Sequence, residues 1–242
     1  MPKLPALEAI VFDLDGTLVD SAEDLCACLN MALNAHGLRS IATGEIRSMI
    51  GDGVPTMVER ALAAVGGDPG QSDPITARFR EIYDANPVVA TRCYSQVIST
   101  LEILRGRFRL AVATNKPIVA TKKIVDRLFP DNLFSVVVGG DSLPTRKPDR
   151  GPLLDVLRQF AVGPDQAVMV GDNIHDVEAA RAAGMRCIVV SYGYHHRPPS
   201  ELHAEFVIDR FDELLPLVLD QTPGSAGELK STPGTCPLST GA

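Results

Sequence analysis

Near the start of the chain, Ile10 to Asp20 reads IVFDLDGTLVD, and two of its acids, Asp13 and Asp15, stand two residues apart directly after the apolar run Ile10-Val11-Phe12. Side chains alternate faces along an extended chain, so both carboxylates can point at one spot beyond a strand end while Leu14 points away. Two carboxylates sharing a small space repel, and one takes up a proton unless a divalent cation or a cationic side chain offsets the charge. A single acid after a strand is usually a solvated loop residue. The pair, followed by the turn-forming Gly16, points instead to catalysis.

Two more acids follow in GDNIHD, where Gly171 makes a turn, Asp172 sits at an expected strand end, Asn173 comes next and Asp176 lies one helical turn on. Four carboxylates around one crevice need compensation. Lys147, in TRKPDR, stands at a strand-to-helix junction before Pro148, which favours a helix start, and supplies one positive charge; Arg146 is its rival. A hard dication with oxygen ligands supplies the rest, and Mg²⁺ fits best because it takes few carboxylates, keeps waters and completes its shell with phosphate. Thr114 and Asn115 follow the run LAVA and precede Pro117, so their hydroxyl, amide and backbone donors open a helix where a phosphate could sit. A β-forming threonine and a capping asparagine would look the same.

These residues need elements to hold them. Leu110 to Thr114, Phe134 to Val138, Ala167 to Asp172, Arg186 to Ser191 and Glu205 to Ile208 read as strands. Helical patterns at Val97 to Leu104, Pro117 to Leu128, Leu153 to Leu157, Ile174 to Ala183 and Phe211 to Leu219 separate or close them. Near-continuous apolar strands alternating with helices predict an α/β fold, a doubly wound parallel sheet covered on both faces. Ligands of such sheets bind beyond the carboxyl ends of the strands, where the acids fall.

The stretch 20–91 shows no strand pattern. Ser21 with Asp24 resembles a capping box opening a helix that ends near His36 and Gly37, Val54 to Val65 forms a second helix stopped by Gly66, and Ile75, Phe79, Ile82 and Tyr83 mark a third. The expected organisation is an α/β core of residues 1–19 and 92–220, an inserted all-helical domain of residues 20–91, and a flexible Gly, Pro, Ser and Thr-rich tail of residues 221–242.

The bulk numbers narrow the partners. With 242 residues and 45% hydrophobic content the chain can bury a large core, and a net charge of −7 disfavours nucleic acid. The N-terminus lacks a signal-peptide pattern and no span of about 20 apolar residues occurs, so a cytoplasmic protein without a membrane is expected, as a monomer or homodimer. Five cysteines without CxxC spacing read as free thiols.

DLDGT from Asp13, Thr114 after a strand, Lys147 before a proline, and GDxxxD from Gly171 to Asp176, in this order, resemble the four motifs of the haloacid dehalogenase superfamily, and the helical insert is similar to its C1 cap. The runs IGDGVPTMVERAL, TNKP, VVVGGD and SYGY look like the phosphoglycolate phosphatase subgroup. CYSQV, from Cys93 to Val97, departs from the Pro-Gly turn more common in relatives between cap and core. The resemblance implies a Mg²⁺-dependent phosphomonoesterase hydrolysing a small-molecule phosphoester such as 2-phosphoglycolate. It assigns Asp13 as nucleophile and Asp15 as acid and then base, with Thr114, Asn115 and Lys147 on the phosphate. Asp13, the Asp15 carbonyl and Asp172 would hold the metal, with Asn173 and Asp176 behind them. Arg47, Gly51, Asp52 and Gly53 would read the rest of the substrate.

Within the superfamily a dehalogenase would lack the second acid, Asp15, and a Schiff-base phosphonatase needs a cap lysine, which Ser21 to Thr91 does not contain. A sugar-phosphate mutase or a phosphatase for a sugar phosphate, pyrophosphate or nucleotide remains as an alternative. A phospho-accepting signalling receiver also places an aspartate at a strand end, but it needs no helical lid.

Overall fold

The computed structural model describes residues 7–219; the tail of residues 221–242 lies outside the described residues. Its centre is β1, Ala9–Phe12, whose four residues are all buried because both edges and both faces are covered. On one edge it pairs in parallel with β4, Arg109–Ala113, and on the other with β6, Ala167–Gly171. With β5 (Val136–Val138), β7 (Arg186–Val190) and β8 (Phe206–Ile208) the parallel sheet has the order β5-β4-β1-β6-β7-β8. The chain winds outward first to one side of β1 and then to the other, so the strand order reverses beside β1 and leaves a crevice at the carboxyl ends of β1, β4 and β6.

Residue parity sorts the strand side chains onto the two faces. Ile10, Phe12, Leu110, Val112, Val168 and Val170 pack with residues of α5 (Val97–Leu104) and α9 (Leu214–Leu219), and Ile124 of α6 (Ile118–Leu128) joins them. Ala9, Val11, Ala111, Ala113 and Met169 pack instead on α7 (Gly151–Phe160) and α8 (Ile174–Ala183). The expected helix start at Pro148 is displaced: residues 148–150 form a turn and α7 begins at Gly151.

Between β2 (Val19–Asp20) and β3 (Arg92–Cys93), paired antiparallel, the chain builds a helical unit. It consists of α1 (Ala22–Ala35), α2 (Thr43–Ile46) running on into a 3₁₀ turn at Arg47–Met49, α3 (Val54–Val65) and α4 (Ser72–Ala85). Leu29, Leu33, Ile46, Val58, Leu62, Ile75 and Phe79 form its own apolar cluster. The turn-length α2 has no apolar period to announce it.

The capping box expected at Ser21 and Asp24 does not form. The Ser21 hydroxyl donates to Asp15 Oδ1 at 2.6 Å. Asp24 accepts the amides of Val89 (2.9 Å), Ala90 (2.9 Å) and Thr91 (2.8 Å) and the Thr91 hydroxyl (2.6 Å), tying α1 to the returning chain. The α1 N-terminus is satisfied from the core: the Tyr194 hydroxyl accepts the amides of Ser21 (2.8 Å) and Ala22 (3.1 Å). His36 does sit at the end of α1, with Nδ1 2.9 Å from the Ala32 carbonyl. Among the described residues no helix is long and apolar enough to cross a membrane, and Cys26, Cys28, Cys93 and Cys187 are free.

Candidate active site

The turn after β1 is sharp because two contacts require it to be. The Leu14 carbonyl accepts the amides of Leu18 (2.9 Å) and Val19 (3.0 Å), and Leu14 itself enters the core. Gly16 has φ +86°, and a Cβ there would stand 2.4 Å from Asp172 Oδ2, so the position requires glycine on both counts. The result turns Asp13 and Asp15 into the crevice.

There Asp13, Asp172 and Asp176 present carboxylate oxygens within 4.8 Å of one another. Lys147 Nζ lies 3.0 Å from Asp13 Oδ1 and 2.6 Å from Asp176 Oδ1. The other Asp176 oxygen accepts the amides of Asp172 (3.1 Å) and Asn173 (3.0 Å), so Asp176 orients both the lysine and the loop before α8. Asp172 accepts the Thr17 hydroxyl at 3.0 Å and the Tyr194 amide at 2.7 Å. Asn173 reaches the Tyr194 carbonyl at 3.5 Å.

Electrostatics show the strain of gathering these acids. Burial pushes the Asp13 carboxyl above its usual pKa, Lys147 pulls it down and Asp176 pushes it up again. Burial, then Asp13 and Asp176, raise Asp172 well above the carboxylate range. Burial opposes the charge on Lys147, but Asp13 and Asp176 outweigh it and hold the pKa above the ordinary lysine value.

A second lysine, which the sequence reading passed over, faces the other acid. Lys116 Nζ lies 3.0 and 2.9 Å from the two Asp15 oxygens and 4.6 Å from the centre of the Tyr83 ring. Its side chain is 3% exposed; burial opposes its charge, yet Asp15 keeps its pKa above the usual value. A lysine at the strand-to-helix turn of an acidic chain was the available signal, the same one that marks Lys147. Two ammonium groups against four carboxylates still leave negative charge in excess.

A hard dication fits this excess. The ligand atoms are carboxylate oxygens, Asp13, Asp172 and Asp176 bring them within 4.8 Å of one another, and Gly193 keeps room beside Asp172, where a Cβ would come within 2.3 Å. The Asp15 carboxylate is turned from this triad toward Lys116 and Ser21.

Thr114 and Asn115 lie buried at the end of β4. Asn115 Nδ2 donates to the carbonyls of Gly51 and Lys147, both at 2.9 Å, so this side chain joins the helical unit to the lysine loop. Of the residues expected to read substrate, Gly51 and Gly53 line a pocket shared with Asp13, Asp15, Lys116 and Tyr83. Arg47 turns instead to Asp20 (2.7 Å) and stacks on the Tyr194 ring at 5.2 Å. Asp52 pairs with Arg60 at 2.5 Å and meets His175 and His196 of the core. Both had looked available because a loop before a helix gives no hint of which neighbours will claim its charges.

A family model described as haloacid dehalogenase-like hydrolase matches residues 10–190. Phosphoglycolate phosphatase 1 of Pseudomonas aeruginosa is 39% identical over 220 residues, covering 88% of this chain and 80% of its own. A phosphoglycolate phosphatase of Cereibacter sphaeroides is 37% identical over 211 residues, covering 86% of this chain and 96% of its own. The crystal structure of a predicted phosphoglycolate phosphatase from Haemophilus somnus superposes with a TM-score of 0.83 at 32% identity, covering 87% of this chain and 97% of that one.

Proposed function

The chain belongs to the haloacid dehalogenase-like hydrolases, and from that membership we propose that it is a phosphomonoesterase hydrolysing 2-phosphoglycolate to glycolate and phosphate. The observation that carries the chemistry is the pairing of two acids with two different lysines: Asp13 beside Lys147, and Asp15 beside Lys116. The pairing gives the two carboxylates separate duties in one crevice.

Asp13 attacks phosphorus and the P–O bond to the leaving alkoxide breaks, giving an aspartyl-phosphate. Asp15 donates a proton to the departing alkoxide, then takes one from the water that hydrolyses the aspartyl-phosphate and regenerates Asp13. Lys147, the Thr114 hydroxyl and amides around Asn115 hold the phosphoryl oxygens, while Asp176 keeps the lysine in place. Asp13, Asp172 and the Asp15 carbonyl would hold Mg²⁺, with Asn173 and Asp176 behind them. When bound, that ion neutralises the carboxylates and the charge growing on the transferred group.

The same proposal divides the chain into a core of residues 1–19 and 92–220, and a cap of residues 20–91 that excludes water from the crevice. Its apolar cluster, which Ala120 and Tyr194 join from outside the insert, and the paired crossings at β2 and β3 support this. Phosphate release over a panel of small phosphomonoesters tests the reading: 2-phosphoglycolate is expected to give the highest kcat/KM, and a sugar phosphate or pyrophosphate at the head of the panel would replace it.

A further inference from the structure

The pocket beside Asp15 contains more than the hydrolysis of a phosphate requires. Lys116 is the one cationic side chain in its lining among the described residues, and it is buried. Burying an ammonium is costly unless its charge and its three N–H donors are used. Asp15 takes two of them. On the far side stands Tyr83 of α4, 2% exposed, with its hydroxyl buried close to the ammonium but in no acceptable hydrogen-bond geometry. A third feature faces the same space: Gly53, the N-cap of the 12-residue α3, offers no side chain to the first helical amide, that of Val54, and Pro55 after it has none; Gly53 and Val54 line the pocket. Such amides carry partial positive charge. The remaining wall, Leu25 and Met57 among it, is apolar.

We propose that Lys116 and Tyr83, with the Val54 amide that opens α3, form a subsite for a carboxylate carried by the leaving group of the substrate. This rests on the reading of the chain as a phosphoglycolate phosphatase and names the residues that make the choice. Lys116 keeps one N–H donor beyond the two that face Asp15, and the Tyr83 hydroxyl is buried without a hydrogen bond, so a substrate carboxylate beside them pairs with a charge and donors already present in the pocket. Leaving groups without an anion give up that pairing in a buried site. Specificity is thus set by a residue of the core as well as by the cap.

The test compares kcat/KM for 2-phosphoglycolate and for ethyl phosphate, which has the same two-carbon skeleton without the carboxylate. The natural enzyme is expected to favour 2-phosphoglycolate by at least about tenfold, and Lys116→Met to reduce that preference by about tenfold or more, from the typical worth of a hydrogen bond to a charged group. Tyr83→Phe, which keeps the ring, is expected to reduce it about threefold or more. If Lys116→Met lowers both substrates equally and leaves the ratio unchanged, the lysine only orients Asp15 and the subsite is overturned. Should Lys116→Met fail to fold, the ratio in Tyr83→Phe decides in the same way. A natural enzyme that cleaves both esters equally well overturns the substrate reading together with the subsite, whereas discrimination that survives the substitutions overturns the subsite alone.

Discussion

Asp13 and Asp15 are two residues apart, yet their surroundings separate them: one is held against Lys147 and two further acids, the other against Lys116 and the Ser21 hydroxyl. The division of labour this supports can be seen directly. In Asp15→Asn the acid and base are both lost, so an alkyl ester should hardly react, while an activated aryl phosphate, which needs little protonation, should still phosphorylate Asp13. Mass spectrometry after acid quench is expected to find one phosphoryl group on the peptide containing Asp13, and none in Asp13→Asn. Appreciable turnover by Asp13→Asn would instead make water the direct nucleophile. Asp13, Asp15 and Asp172 were legible in the sequence because each stands at a strand end, where type and position together carry the meaning, while Asp176 was marked by its place one helical turn on and Lys147 by the proline after it. Lys116 and Tyr83 were not, since what gives them a role is their meeting across 33 residues of chain and two different elements.

Elements were legible where apolar periodicity is long, and misread where polar side chains choose distant partners. Asp24 looked like the third position of a capping box, but its carboxylate is spent on the chain returning from α4. Burial alone would raise its pKa; the Thr91 hydroxyl and three amides outweigh that and hold it below the usual carboxylate value. Because the folded pKa is depressed, this stabilisation is fully present above the unfolded pKa of roughly 4 and is lost as pH falls through the lower folded value. Asp24→Asn is expected to cost about 1–3 kcal/mol at neutral pH, the usual range for hydrogen bonds to a buried charged group. Urea denaturation of both proteins checks this, and the gap between them should shrink as pH drops below roughly 4. A gap independent of pH would mean that the charge contributes nothing.

Considered whole, the molecule gathers three buried acids, the partly buried Asp15 and two buried lysines where the sheet order reverses, and helices from the insert cover that place. A negative excess inside such a crevice makes cation binding and folding stability the same question. Mg²⁺ is therefore expected to raise the melting temperature of the natural chain in a concentration-dependent way, and Asp172→Ala to abolish that rise. Chelation should stop phosphate release; full activity in excess chelator would show that the lysines suffice. The α/β class and the parallel sheet followed from alternating apolar runs, whereas the contacts of Asp52 with His175 and His196 did not, because the helical unit and the sheet meet only in three dimensions.

The two crossings between the helical unit and the sheet lie side by side, with Val19 opposite Cys93 and Asp20 opposite Arg92. Departure and return are thus one strand spacing apart, about 5 Å. To the rest of the chain the 71 residues between Asp20 and Arg92 are a loop whose ends already touch. Its length and contents can change without moving β1 or the acids behind it, so the helical unit and the sheet are free to evolve at different rates. Lys116 limits that freedom, because the Tyr83 ring of the insert lies against its ammonium and any replacement must tolerate a buried charge at that face.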